Sequence, residues 1–189
     1  MAGKTNNVTA AEALDLLKQG NARYVADVAR RALATPRRRY ETSDGQWPFA
    51  IVLTCADSRV TPEFIFDRGI GDLFVCRVAG NVANDDVIGS VQYAVQYIQT
   101  ELVVVLGHEA CGAVGAAISP PSDAPAELGG LAGVIQGNIG REKNVARAVD
   151  KNAKAVAKSL KAKLKGAKLK RAKVVAATYA LRSGEVRWL

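Results

Sequence analysis

The chain has 189 residues, of which 49% are hydrophobic and 23% charged, enough for one core of ordinary size and a single domain. No apolar run approaches the roughly 20 residues of a membrane helix, and Met1 to Asn7 lack a signal-peptide core; a cytoplasmic protein is expected, or a periplasmic one whose leader has been removed. Three cysteines are an odd count, which argues against a disulfide framework, and the formal charge of +8 raises the question of anionic partners.

In chain order, Thr9-Ala10-Ala11-Glu12 reads as a capping box opening an amphipathic helix with Leu14, Leu16 and Leu17 as apolar contacts and Gly20 as its stop. A basic arm follows, with Arg30, Arg31, Arg37, Arg38 and Arg39, and Pro36 as a helix breaker. Residues 1–45 are therefore expected to form a helical arm ahead of the main body, 46–189. Trp47-Pro48 leads into a strand over Phe49 to Leu53; further strands are expected over Leu73 to Val78 and Leu102 to Leu106, with a helix over Val87 to Gln99 between them. Strand, helix, strand is the order a parallel sheet requires. A small-residue helix is expected after Cys111, its amino end favouring an anion, then a loop over Ser119 to Pro125. From Arg141 to Lys165 the positions Val145, Val149, Val156, Leu160 and Leu164 recur at helical spacing, opposite a stripe of Lys151, Lys154, Lys158, Lys161 and Lys165, with Gly166 as the stop. Lys173 to Tyr179 and Glu185 to Leu189 complete an antiparallel hairpin with the last strand at an edge. The fold class is α/β: one domain, a central, mostly parallel sheet flanked by helices.

Two strand ends carry the chemistry. Cys55 follows the first strand in Thr54-Cys55-Ala56-Asp57-Ser58-Arg59; His108, the chain's only histidine, and Cys111 follow the third in Gly107-His108-Glu109-Ala110-Cys111-Gly112. Parallel sheets gather functional groups at the carboxyl ends of their strands, and two thiolates with one imidazole are a preferred zinc set that leaves a fourth position open. The alternative is a pair of buried thiols and a helix-capping histidine. Asp57 and Arg59 form an ion pair that holds the aspartate ionised beside the ligands. Asp57 either stays off the metal and accepts a hydrogen bond from a bound water, or closes the site as a fourth ligand. Cys76 is spare and reads as a packed strand residue.

Nucleic-acid binding is the competing class for so basic a chain. No aromatic residues interleave with the lysines and no readout motif accompanies them, so the lysine stripe reads as a solvated helix face.

Cys55-Ala56-Asp57-Ser58-Arg59 with His108-Glu109-Ala110-Cys111-Gly112 resembles the paired signatures of the β-class carbonic anhydrases. Gly71 to Val75, Arg77-Val78-Ala79-Gly80-Asn81 and Gly89 to Val95 match that family in order and spacing, and Gly20 to Tyr24 is similar to its first helix. The resemblance implies one Zn2+ per chain on Cys55, His108 and Cys111, with Asp57 and Arg59 as a catalytic dyad and Gln46, Phe74, Ala79 and Tyr93 lining the substrate pocket. It implies reversible hydration of carbon dioxide to bicarbonate, and a homodimer or homotetramer in which the first helix and arm embrace a partner. Carbon disulfide or carbonyl sulfide hydrolysis on the same site is the nearest alternative reaction, and a noncatalytic zinc domain a further one. The subgroup with a regulatory bicarbonate carries tryptophan three residues before its first zinc cysteine; Val52 stands there, which resembles the plant-type subgroup with an open zinc.

Overall fold

The computed structural model describes residues 8–30, 34–166 and 169–189; Met1 to Asn7 and Arg31 of the basic arm lie outside the described residues. Five strands, β1 (Ala50–Thr54), β2 (Leu73–Arg77), β3 (Leu102–His108), β4 (Lys173–Tyr179) and β5 (Val186–Trp188), form one sheet in the order β2-β1-β3-β4-β5. The first four are parallel and β5 pairs antiparallel with β4. Every residue of β1 and β3 is buried, as central parallel strands covered on both faces must be.

Alternation along these strands divides the core. Ile51, Leu53, Val103 and Val105 face α4 (Asp85–Tyr93) and α7 (Val145–Lys163), meeting Val87, Val91, Val156 and Leu160. Ala50, Val52, Leu102, Val104 and Leu106 face α1 (Ala10–Val25) and α3 (Pro62–Ile65), meeting Ala13, Leu17 and Ile65. The α1 helix opens on the expected capping box: the Thr9 side chain accepts from Glu12 N, and Glu12 accepts from Thr9 N at 2.8 Å. It does not stop at Gly20. A Cβ there would stand 1.8 Å from the Phe66 carbonyl oxygen, so this glycine lets the helix lie against backbone rather than ending it. Pro36 likewise opens a helix, α2 (Pro36–Glu41), occupying its first turn where a missing N–H costs nothing.

The helix expected over Val87 to Gln99 starts earlier, capped by Asn84, and ends as a π turn over Ala94–Ile98 closed by Gln99 at φ 67°. Two helices follow β3: α5 (Gly112–Ile118) and α6 (Ala126–Ile139). The second falls where no element was expected. Asn144 caps α7, whose side chain accepts from Arg147 N, and the helix ends at Lys163 ahead of Gly166. No described helix is long and apolar enough to cross a membrane.

Candidate metal centre

β1 is followed by a crossover to β2 on one side, while β3 lies on its other side. The carboxyl ends of β1 and β3 therefore flank the point where the winding reverses, where open α/β sheets leave a crevice. Cys55 enters it from β1, His108 ends β3, and Cys111 precedes α5. Between the last two, Ala110 takes a left-handed conformation at φ 50°, turning the chain so that Cys111 faces back towards His108. Glu109 N donates to the Tyr179 carbonyl at 3.0 Å, and Leu181 N donates to the Glu109 carboxylate at 3.1 Å, tying this turn to β4 and the hairpin.

The Cys55 and Cys111 sulfurs are 4.0 Å apart, and the ligand atoms of Cys55, His108 and Cys111 lie within 4.8 Å of one another. All three residues are buried. Two sulfurs bound at about 2.3 Å to one tetrahedral zinc are about 3.8 Å apart, so the pair needs only a small adjustment. His108 Nδ1 donates to the Glu109 carbonyl at 2.8 Å. That bond fixes the tautomer and leaves Nε2 as a lone-pair donor. Nε2 is fully buried with no hydrogen-bond partner, an arrangement that costs free energy unless a cation takes the lone pair.

The sulfurs are already polarised for that exchange. The hydrogen bond from Cys111, with lesser help from the backbone N–H groups of Asp57 and Gly80, pushes the Cys55 thiol down to about 4 against the opposing effect of burial. Cys111 keeps the shared proton: its bond to Cys55 and its burial push its own thiol up. Gly80 N donates to Cys55 Sγ at 3.3 Å. Gly80 sits at φ 66°, and its carbonyl accepts from Asn152 Nδ2 at 2.8 Å; Asn152 Oδ1 in turn accepts from Asn138 Nδ2 at 2.9 Å. Two amides, Asn138 from α6 and the buried Asn152 from α7, thus hold the residue whose N–H meets the sulfur.

Asp57 and Arg59 lie beside the cluster. Arg59 donates from Nε to Asp57 Oδ1 at 2.9 Å and from Nη2 to Oδ2 at 2.7 Å, and its backbone N reaches Oδ1 at 3.0 Å. This guanidinium holds the carboxyl well below the usual carboxylate range despite partial burial. Asp57 Oδ2 is 3.9 Å from His108 Nε2. The carboxylate borders the metal position and is drawn to arginine. Arg77, at the end of β2, donates to the carbonyls of Cys55, Ala56 and Asp57 at 3.4, 3.2 and 2.7 Å, clamping the loop that carries both groups.

Of the four expected pocket residues, Ala79 alone is adjacent to the cluster, opening the turn Ala79–Asn81 that presents Gly80. Phe74 pairs in register with Ile51, four residues before Cys55, or about 13 Å back along the strand. Gln46 is exposed and precedes β1, at the opposite end of that strand from Cys55. Tyr93 is half exposed at the end of α4 and packs on Tyr97, ring centroids 5.6 Å apart. Sequence reasoning missed Asn138 and Asn152. Asn152 stands at a position of the apolar side of α7, and a polar residue there is the one signal that marked it.

A family model described as carbonic anhydrase matches residues 50–186. Carbonic anhydrase 2 of Mycobacterium tuberculosis is 43% identical over 132 residues, covering 70% of this chain and 62% of that protein. A carbonic anhydrase of Mycolicibacterium smegmatis is 42% identical over 120 residues, covering 64% and 58%. The chain thus spans about six-tenths of the length of these curated relatives. Tetrameric β-carbonic anhydrases of Sordaria macrospora superpose with a TM-score of 0.70 at 20% identity, over 90% of this chain and 93% of that one. The Coccomyxa β-carbonic anhydrase in complex with acetazolamide gives 0.67 at 21%, over 93% and 86%. At those identities the likeness concerns the fold.

Proposed function

The chain belongs to the β-class carbonic anhydrases, which are zinc enzymes, and from that premise we propose that it hydrates carbon dioxide reversibly to bicarbonate and a proton at one Zn2+ held by Cys55, His108 and Cys111. The observation that carries this reading is the buried Cys-His-Cys cluster with an unpartnered Nε2. Zinc supplies there a Lewis acid that lowers the pKa of a water from about 15.7 to near 7.

The rest is done by the chain's own groups. Asp57, kept anionic by its two bonds to Arg59, accepts a hydrogen bond from the attacking water at Oδ2 and so directs its lone pair at the substrate carbon. Arg59 also keeps the carboxylate from the fourth ligand position, as in the open, plant-type arrangement. Arg77 positions both by holding the 55–57 loop. The proton leaves to buffer, because the sole imidazole is committed to the metal.

Gln46, Phe74 and Tyr93 point to assembly: too far from their own cluster, they are placed to wall the pocket of a neighbouring copy, Gln46 by hydrogen-bonding substrate oxygen and the two rings by excluding water. β2 is an edge strand, and Phe64, Ile70, Tyr93 and Tyr97 are exposed large apolar residues, which supports a homodimer as the minimum unit. Segment 1–45, with Val25, Val28 and Tyr40 exposed, is the arm that embraces the partner. The tetrameric Sordaria enzymes support a tetramer built as a pair of such dimers. Three free cysteines suit the reducing cytoplasm.

Stopped-flow carbon dioxide hydration on zinc-replete protein tests the proposal. Rapid turnover is expected, inhibited by acetazolamide, and Asp57→Asn keeps zinc while losing at least tenfold in rate. Zinc bound with no hydration from neutral to alkaline pH would overturn the substrate assignment.

A further inference from the structure

The charge of +8 is not spread over the molecule. Ten of the 26 lysines and arginines lie between Lys151 and Lys173, where there is no aspartate or glutamate; the other 16 are outnumbered by the chain's 18 carboxylates. In the basic arm expected to share this charge, Arg37 is paired with Glu41 at 2.8 Å and Arg38 with Asp72 at 2.8 Å. The positive charge of the protein is thus the charge of one helix and the turn after it.

That face is exposed and largely free of carboxylates. The α7 helix is anchored through Ala153, Val156 and Leu160 in the core, while Lys151, Lys154, Lys158, Lys161, Lys163 and Lys165 are exposed. At about 100° and 1.5 Å per residue, Lys151, Lys154, Lys158 and Lys161 fall within about 80° of arc along about 15 Å of axis. Lys151 meets Glu142 at 3.3 Å, Lys161 Nζ donates to the Ala172 carbonyl at 2.6 Å, and Arg171 meets Glu101 at 3.6 Å. Lys154, Lys158, Lys163, Lys165, Lys170 and Lys173 have no carboxylate partner among the described residues.

From this arrangement we infer that the α7 lysine face is a sequence-independent binding surface for the phosphate backbone of a nucleic-acid duplex, separate from the metal centre. Base readout is excluded by the lack of aromatic and amide side chains on the stripe, but backbone binding needs neither: neutralising phosphates and releasing their counterions supplies the free energy. Row positions about 4.5 to 6 Å apart along the helix axis put several cations within reach of one stretch of phosphates, which follow one another at about 3.4 Å per strand along a duplex. An anionic membrane is the less suited partner. Between the lysines the exposed face offers Ser159 and Ala162, and no exposed large apolar residue occurs after Val145 among the described residues, so the lysine row carries no apolar side chain to insert among lipid chains.

The test uses the zinc-loaded full chain and a fluorescein-labelled mixed-sequence DNA duplex of about 25 base pairs, read by anisotropy from about 50 to 200 mM NaCl. On the row itself Lys154, Lys158, Lys161 and Lys165 have no carboxylate partner among the described residues, and four such charges predict a log–log salt slope of about −4, an affinity loss of about 150-fold over that range. The variant K154Q/K158Q/K165Q should show a slope of about −1 and lose only about fourfold, with carbon dioxide hydration unchanged. K18Q/R39Q/R182Q removes the same charge elsewhere and should bind as the parent does. The inference is overturned if the two triple variants weaken binding equally, if the duplex does not bind at about 50 mM salt, or if phosphatidylserine vesicles bind through this face while the duplex does not.

Discussion

Asn152→Ala probes whether the amide chain behind the cluster serves the metal or only the fold. Asn152 is fully buried and makes two hydrogen bonds, to the Gly80 carbonyl at 2.8 Å and from Asn138 at 2.9 Å. Alanine leaves the buried Gly80 carbonyl unpaired, at about 1–3 kcal/mol, and the half-buried Asn138 amide at a smaller cost, so the variant should lose about 2–4 kcal/mol of stability. In a chain of this length that lowers the melting temperature by roughly 10 °C. The second consequence is specific to the site. Freed from Asn152, Gly80 is no longer pinned at φ 66° through its carbonyl, and the neighbouring peptide that carries its N–H to Cys55 Sγ loses its support; removal of such a supporting contact costs about 10- to 100-fold in metal affinity. Thermal unfolding of the zinc-loaded protein gives the first quantity and competition with a chromophoric chelator the second. A lowered melting temperature with zinc affinity within about threefold of the parent would refute the link between Asn152 and the thiolate, leaving Asn152 as a packing residue.

Gly20→Ala should destabilise by about 2 kcal/mol or more, because its Cβ meets the Phe66 carbonyl; stabilisation of about 1 kcal/mol, the response of a helical glycine with room, would show that α1 is not so closely packed. Glu142, bonded first to Arg147 and to the Asn144 backbone, has its carboxyl pulled down to about 2 from the usual 4.5. Its contribution is complete above about pH 4.5 and disappears as pH falls through about 2, so melting curves of the parent and Glu142→Gln should differ at pH 6 and converge near pH 2. A constant difference across that interval would disprove the ion-pair origin. With no histidine free to shuttle protons, turnover should rise with the concentration of external buffer, and a rate indifferent to buffer would require another internal carrier.

The sheet was legible because its strands are apolar runs bounded by turn residues. β1 and β3, buried on both faces, show continuous runs, and both end where the chemistry begins. The α6 helix was not legible for a physical reason: Gly129, Gly130, Gly133 and Gly137 interrupt Ala126–Ile139, so the sequence has turn composition although Ala132, Ile135 and Ile139 keep helical spacing in the core. Gly20 and Pro36 were misread through the same weakness. Each is a helix breaker by local preference, yet one is required by a backbone contact across 46 residues and the other sits where a helix tolerates proline.

The site divides along a similar line. Cys55, Asp57, Arg59, His108 and Cys111 sit at or just beyond the ends of two adjacent strands, so parallel pairing alone brings them together, and short-range motifs disclose them. Asn152 lies 72 residues from the Gly80 carbonyl it holds, and nothing local in an alanine- and lysine-rich helix says that its one amide points at a glycine of another loop. Gln46, Phe74 and Tyr93 are harder again, because one chain does not contain the pocket they are proposed to line. Tyr93 is exposed on a single subunit, a poor position for a ring meant to exclude water unless a second copy covers it. Replacing Tyr93 by alanine should therefore weaken self-association and raise KM together, whereas Ala79, beside its own cluster, is placed to affect catalysis without changing assembly. Sedimentation and kinetics on the Tyr93 variant decide between a wall supplied in cis and one supplied by a second copy: loss of substrate affinity in a subunit that still dimerises as tightly as the parent would place that ring in its own chain's pocket.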